Sequence, residues 1–577
     1  MRGRQRWLGA AVAVLAAASM SSGAHAQAAL TGLVSSSEEG AMEGVLVSAK
    51  KEGSTITTTV VTDERGRYSF PAARMEAGKY TISIRAIGYK LDGPKTVDVP
   101  AGNTGTADLK LGKVKSLVSQ LSNAEWLLSL PGADKQKGFL TMCVGCHTLQ
   151  RVLTSNHDAA EFQQVFLRMA RYSPGSTPTH PQPLLPGPRG ERPAVTGDAA
   201  KAAAEFLASV SLGNSEAIEY PLKTLPRPKG RCTKVLITEY DLPRKGALPH
   251  DVIVDKDGQV WYSDFGAQFV GVMDPKNGTT KDIAIPVVRP EQPKGGLDLE
   301  FDPDGNIWLA MMYQAAIAKV DRKTHEVSVF PFPKEWISTS AQASMVSPTY
   351  SNVDGKVWTN NQEDHLNYRL DLATGKFDNP GPAKTPAGKQ IRAYGMPTDH
   401  QNNLYQLEFG GGSIGRRDAK TLEVTIWPTS GALSRPRRGR VDEQNRLWFA
   451  EYGGNGIGMF DPQTDAIKEW RLPTPWSAPY DVVAIKNGAE VWTGSMLTDQ
   501  VSRLDTATGQ VVDYLLPRTS PIFSNGADGR MVDGRRRVLV YGSATGASRQ
   551  RRECLDVILE RLGDAACRPA QAGELRL

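Results

Sequence analysis

The sequence predicts a multidomain, mainly β protein: an N-terminal β-sandwich, a small all-α domain and a seven-bladed β-propeller. Three observations carry this. Apolar and β-branched residues alternate at period two over residues 28–113, apolar residues recur at spacings of three and four over 114–213, and an aromatic-anchored unit recurs from residue 234 onward. The 577-residue chain holds 56 Gly and 37 Pro, the turn-rich composition that many short strands require.

Residues 1–27 precede the folded units. A basic start (MRGRQRW), an apolar run too short to span a bilayer (LGAAVAVLAAASM) and small residues at Ala24 and Ala26 make an export signal, with the mature chain expected to begin near Gln27. No other stretch is apolar enough for a transmembrane segment, so the expected location is the periplasm. The formal charge of +6 is spread over the chain and partly gathered at its end, which gives no basis for a nucleic-acid partner.

The first unit, 28–113, runs through "GVLVSAKK", "STITTTVVTDERGRYSF" and "GKYTISIRAIGYK", with Gly and Asp at the turns. The stretch from Thr62 to Lys90 resembles the carboxypeptidase regulatory-like domain, which implies a spacer or docking module. It carries no His, Cys or carboxylate cluster fit for chemistry.

The second unit, 114–213, holds "TMCVGCHTLQR". Cys143, Cys146 and His147 form Cys-x-x-Cys-His, the spacing at which two thiols add to the vinyl groups of haem c and the adjacent imidazole ligates its iron. A redox Cys-x-x-Cys belongs beside a βαβ pattern, which is not visible here. A zinc site needs a second Cys or His pair, and the nearby histidines are His157 and His180. The motif is expected at a helix start. The segment resembles short c-type cytochromes, and that resemblance implies Met169, in "FLRMARY", as the second axial ligand, with His157 and His180 as fallbacks. Thr196 is the expected cap of a last helix that stops at Gly213, and 214–233 reads as a Pro- and Lys-rich linker.

In the third unit, 234–545, the anchors are Trp261, Trp308, Trp358, Tyr405, Trp448 and Trp492, at spacings of 47, 50, 47, 43 and 44. A unit of that length with several short strands is the signature of a propeller blade. A seventh blade is expected near Val538, completed by the strand at 234–243 so that no free sheet edge remains. Residues 546–577 form an atypical Arg-rich tail with Cys554 and Cys567, either a helical appendage or the product of a frame slip that leaves the last blade incomplete.

Strand alternation places two sets of residues around the tunnel mouth. Eleven residues before the anchors lie His250, Leu297, Ser347, Tyr394 and Arg437, with Tyr480 corresponding after a one-residue insertion; three after them lie Asp264, Met311, Asn361, Glu408, Glu451 and Ser495. The units "LPHDVIVDKDGQVWYSD" and "GRVDEQNRLWFAEYGGNGIGMFDPQT" resemble the blades of the virginiamycin B lyase family. That resemblance implies a general base at His250; a second blade histidine is lacking and Leu248 stands where a glutamate is expected. Glu408 and Glu451 are the mouth carboxylates that remain as candidates.

The function expected from these features is electron transfer through haem c, with a propeller that takes an electron-transfer partner protein or a small-molecule substrate. The alternative is a lyase performing C–O bond elimination at the propeller mouth. A pure scaffold would leave the haem without purpose, and a propeller dehydrogenase would need a second cofactor for which there is no fingerprint.

Overall fold

The computed structural model describes residues 28–145, 147–176, 180–186, 195–213, 220–244, 246–517, 537–538 and 559–561. The export signal, Cys146 and nearly all of the Arg-rich tail, including Cys554 and Cys567, lie outside the described residues. The protein is multidomain and mainly β.

Residues 28–113 fold as two facing sheets. In one, Ala28–Ser36 pairs with Arg67–Pro71 and with Leu109–Lys113; in the other, Leu46–Lys51 lies between Ile56–Val61 and Gly78–Arg85. Their inner faces bury Leu30, Val47, Phe70 and Ile82, the apolar members of the alternating runs. The second sheet does not end within this unit. Ile56–Val61 pairs antiparallel with Val235–Asp241, from Leu236 opposite Val60 to Tyr240 opposite Ile56, so the sandwich continues into the strand expected to close the propeller. The other edge of Val235–Asp241 carries Arg537–Val538 and Leu559–Arg561.

Among the described residues six propeller-like sheets follow in chain order: Pro249–Ala284, Leu299–Pro331, Val346–Asp378, Leu404–Pro428, Pro436–Arg471 and Pro479–Leu515, the fourth with three strands and the others with four. The anchors explain the repeat. Trp261, Trp308 and Trp448 are buried, and each indole Nε1–H donates to an aspartate six residues earlier: Asp255 at 2.9 Å, Asp302 at 3.1 Å and Asp442 at 2.8 Å. The same carboxylates accept backbone N–H groups of their own hairpins, as Asp302 does from Asp304 and Asn306. One side chain thus closes the turn and satisfies the one polar atom of the buried anchor. In the third sheet Trp358 donates instead to the Asn402 carbonyl at 2.9 Å.

Among the described residues the segment between sandwich and propeller contains five α-helices: Asn123–Ser129, Asp134–Lys137, Leu149–Leu153, Ala159–Met169 and Gly197–Val210. Ser122 with Glu125, and Asp158 with Glu161, form reciprocal capping boxes that fix two of the starts. Its apolar cluster, with Trp126, Leu140, Leu149 and Phe162, extends into the propeller and includes Tyr452, Ala478 and Leu497. The Ala124 amide donates to the Leu497 carbonyl at 2.8 Å. On the opposite side Gln182 Nε2 donates to Gly266 O at 2.5 Å, and Leu185 is buried with Leu297, Met345 and Met396. The segment therefore lies across one end of the propeller.

Replacing Asp302 by Ala strands the Trp308 indole and two hairpin amides; a loss of about 1–3 kcal/mol is expected, read as a lower denaturant midpoint by tryptophan fluorescence, whereas Asp304→Ala leaves the midpoint within error.

Candidate functional site

The innermost strands deliver a hydrogen-bonded chain to the covered mouth. In three of them the ladder shifts register, between Pro249 and Val252, Pro436 and Gly439, and Pro479 and Val482. Such bulges break strict alternation, so consecutive side chains join one network: His250 with Asp251, Arg437 with Arg438, Tyr480 with Asp481.

His250 Nδ1 lies 2.6 Å from Asp251 Oδ1, and Tyr480 Oη lies 3.1 Å from His250 Nε2 and 2.7 Å from Tyr394 Oη. With the proton on Nδ1 the chain is consistent throughout: Nδ1–H donates to Asp251, Nε2 accepts from Tyr480, and Tyr480 accepts from Tyr394. Burial draws the His250 pKa below the usual imidazole value, with Asp251 pulling the other way. The ring is therefore neutral at pH 7, with Nε2 as its basic nitrogen. It also lies against Phe265, with ring centroids 4.7 Å apart.

Beneath this chain, on the tunnel wall, Arg438 is 3% exposed and donates to Asp251 at 2.5 Å and Asp298 at 3.3 Å. Arg440 pairs with Glu300 and, at 3.3 Å, with Asp481. One guanidinium facing two carboxylates separates their ionisation. Burial opposes the charge on Asp251, but Arg438 and His250 hold it well below the ordinary range, while burial keeps Asp298 well above it.

Of the first predicted ring, the structure brings together His250, Tyr394, Arg437 and Tyr480. Leu297 is buried in the core beside Leu185, and the Ser347 hydroxyl donates to the Met396 carbonyl. Of the second ring, Asp264, Asn361 and Glu408 are held by their own blades. Asp264 accepts from the amides of Gly266 and Ala267 at 2.9 and 3.0 Å and pairs with Arg244. Asn361 accepts the Gln342 amide at 2.9 Å. Glu408, 4% exposed, accepts from the Ser413 hydroxyl at 2.6 Å. Glu451, also 4% exposed, is buried with Oε1 unpartnered, and burial, reinforced by Glu469, pushes its carboxyl up to about 8. Sequence reasoning missed Asp251, Asp298 and Arg438; the bulges beside Asp251 and Arg438 leave no mark in the residue pattern, and Asp298 precedes its strand.

In the covering segment Cys143 belongs to the 3-10 stretch Gly138–Gly145, and His147 precedes the helix Leu149–Leu153 with its backbone N–H donating to Cys143 O at 3.2 Å. His147 Nδ1 lies 3.2 Å from Thr148 O. Donation there makes Nε2 the lone-pair nitrogen, the arrangement a metal-bound imidazole requires. Cys143 packs on the apolar cluster, and within the same segment Trp126 Nε1 and Thr148 Oγ1 are buried without a hydrogen-bond partner. Met142 and Leu167 are exposed apolar side chains nearby in sequence. An apolar cluster beneath Cys143 and an imidazole disposed to present Nε2 are what a thioether-held haem would require of this segment. Met169 is half-buried at the end of its helix. His157 faces Glu161 at 3.6 Å, and His180 is exposed. Among the described residues no three His, Cys, Asp or Glu side chains cluster as a metal site, and no helix is long and apolar enough to cross a membrane.

Residues 29–112 match the model of the carboxypeptidase regulatory-like domain family. No curated protein matches the chain. Among solved structures it is similar to the virginiamycin B lyase of Staphylococcus aureus, at 20% identity and a TM-score of 0.42 over 49% of this chain and 89% of that one. It is also similar to a streptogramin B lyase, at 22% identity and a TM-score of 0.43 over 51% of this chain and 90% of that one.

A carboxylic acid whose folded pKa is raised stabilises the fold below its unfolded value near 4.5 and loses that contribution as pH rises through about 8. Glu451→Gln is therefore expected to melt close to the wild type at pH 4.5 and well above it at pH 9, as scanning calorimetry at the two pH values will test.

Proposed function

We propose that this chain is an exported, periplasmic c-type cytochrome that passes electrons between a covalently held haem and a protein partner or small substrate at the propeller mouth. In this reading Cys143 and Cys146 hold the haem, His147 and Met169 are the axial ligands, residues 114–213 form the haem domain, and 234–243 with the segment around Val538 completes a seventh blade.

The observation that carries the reading is the continuity of the apolar cluster. The cluster that holds Cys143 also holds Phe409 and Tyr452, and the guanidinium of the mouth residue Arg437 sits 4.8 Å from each of those two rings. Bound haem would supply one-electron chemistry. The chain's own residues do the rest: the thiols anchor, the Thr148 carbonyl orients the His147 ring, and the cluster excludes water. The Tyr394–Tyr480–His250–Asp251 chain is a hydrogen-bonded relay that can move a proton at the mouth, with His250 Nε2 as its acceptor.

A second reading, lyase chemistry at the mouth, is favoured by one observation: the His250–Asp251 pair is built as a neutral base backed by a carboxylate. There His250 Nε2 would take a proton from the carbon beside an ester oxygen, with Glu408 and Glu451, the candidates offered by the sequence, not among the groups that His250 contacts. Against it, the Tyr480 hydroxyl already faces that nitrogen at 3.1 Å and the helical segment covers the mouth.

The exported protein is expected to show the absorption bands of covalently attached haem after denaturation and acid–acetone extraction. Cys143→Ser should reduce the covalently retained haem several-fold, and His147→Ala should change the axial-ligand spectrum. An unmodified chain mass and no haem band would overturn the cytochrome reading. Haem-independent turnover abolished by His250→Ala would support the lyase.

A further inference from the structure

The mouth contains a buried positive charge that no acid among the described residues neutralises. Arg437 is 6% exposed, and no carboxylate among the described residues pairs with it. Aromatic rings surround it instead: Tyr480 at 4.0 Å, and Tyr394, Phe409 and Tyr452 each at 4.8 Å. Its Nη1 lies 3.9 Å from the Met496 sulfur, and its Nε is buried with no hydrogen-bond partner. Arg435 stands beside it, 4.1 Å over the Phe409 ring and 5.4 Å from that of Tyr452, with Nε donating to Phe409 O at 3.2 Å and likewise no acid partner among the described residues. By contrast the two tunnel arginines, Arg438 and Arg440, each meet two acids.

A buried guanidinium without an anion is costly, and cation–π contacts recover only a few kcal/mol of its hydration. Aromatic rings crowd Arg437 and its Nε–H is the donor left without a partner, so a polar ligand would meet the guanidinium along that edge. That geometry suits a planar monoanion, and a carboxylate matches the fork with two parallel N–H···O bonds. A phosphate dianion would want more donors than this apolar pocket holds.

We propose that Arg437, supported by Arg435, is a carboxylate-binding site at the seam between the propeller mouth and the helical segment. The carboxylate has two possible sources with the same chemistry: a propionate of the haem, which rests on the reading above, or a free carboxylic acid entering the mouth, which does not.

The test uses full-length protein, wild type, Arg437→Gln and Arg437→Lys, with succinate as the soluble probe. Two quantities are read: the midpoint potential of the attached haem, and the succinate dependence of tryptophan fluorescence and melting temperature. If a propionate is bound, Arg437→Gln lowers the potential, Arg437→Lys restores most of it, and succinate has no effect on any form. If a free carboxylate is bound, succinate raises the melting temperature of the wild type, its affinity falls at least tenfold in Arg437→Gln, and the potential is unchanged. Equal potentials and equal succinate responses in all three folded proteins overturn the proposal. Should Arg437→Gln not fold, Arg435→Gln takes its place by the same criteria, because it removes the supporting charge and leaves Arg437 itself intact. A protein without haem removes the propionate arm together with the cytochrome reading, and the succinate titration then decides the site alone.

Discussion

The architecture depends on two arginines that cross the propeller axis. Arg438 and Arg440 come from the fifth sheet and reach acids on the first, second and sixth, so four sheets that are not all neighbours are tied through the centre. Burying these ions is expensive, and comparable apolar packing would give equal or greater stability. What the ions supply is a defined arrangement. A guanidinium held by two acids does not tolerate slippage of one innermost strand, because a shift of one residue would strand a buried charge. The His250–Asp251 pair inherits its geometry from this crossing, since Asp251 is fixed from beneath by Arg438 and from the neighbouring strand by Ser263, whose hydroxyl accepts the Asp251 amide at 3.0 Å.

The repeat was legible in the sequence because one interaction recurs in it. An aspartate six residues before a tryptophan closes a hairpin and caps the indole, and the same pair appears wherever that spacing does. The sandwich was legible for a similar reason, its alternation being local. The first ring was partly legible: four of its six members meet at the mouth, while Leu297 and Ser347 were drawn into the core by Leu185 and Met396, contacts that no repeat pattern encodes. The second ring misled. Whether a polar side chain at a strand end faces the tunnel or turns back to its own loop depends on the amides that loop presents, and Asp264, Asn361 and Glu408 all found partners at home.

Asp251 and Arg438 were illegible for a sharper reason. Strict alternation assigns residues 250 and 251 to opposite faces, and a bulge cancels that assignment without requiring any particular residue. The docking of the helical segment was likewise hidden, because Tyr452, Ala478 and Leu497 read as ordinary blade residues until the covering cluster is seen. Local spacing identified the Cys-x-x-Cys-His motif; only tertiary packing shows that it shares a core with the mouth.

The strand Val235–Asp241 is held on one edge by residues 56–61 and on the other by 537–538 and 559–561. Its partners are thus separated from it by about 180 residues on one side and about 300 on the other, loops whose closure slows folding. The N-terminal unit cannot complete its outer edge until the helical segment has been made, and the propeller end cannot join until almost the whole chain is present. During synthesis an unpaired, β-rich edge is therefore exposed for most of the chain's emergence. The order of the units along the polypeptide makes assembly a late, whole-chain event, and a truncation near the C-terminus would reach the first domain as surely as the last.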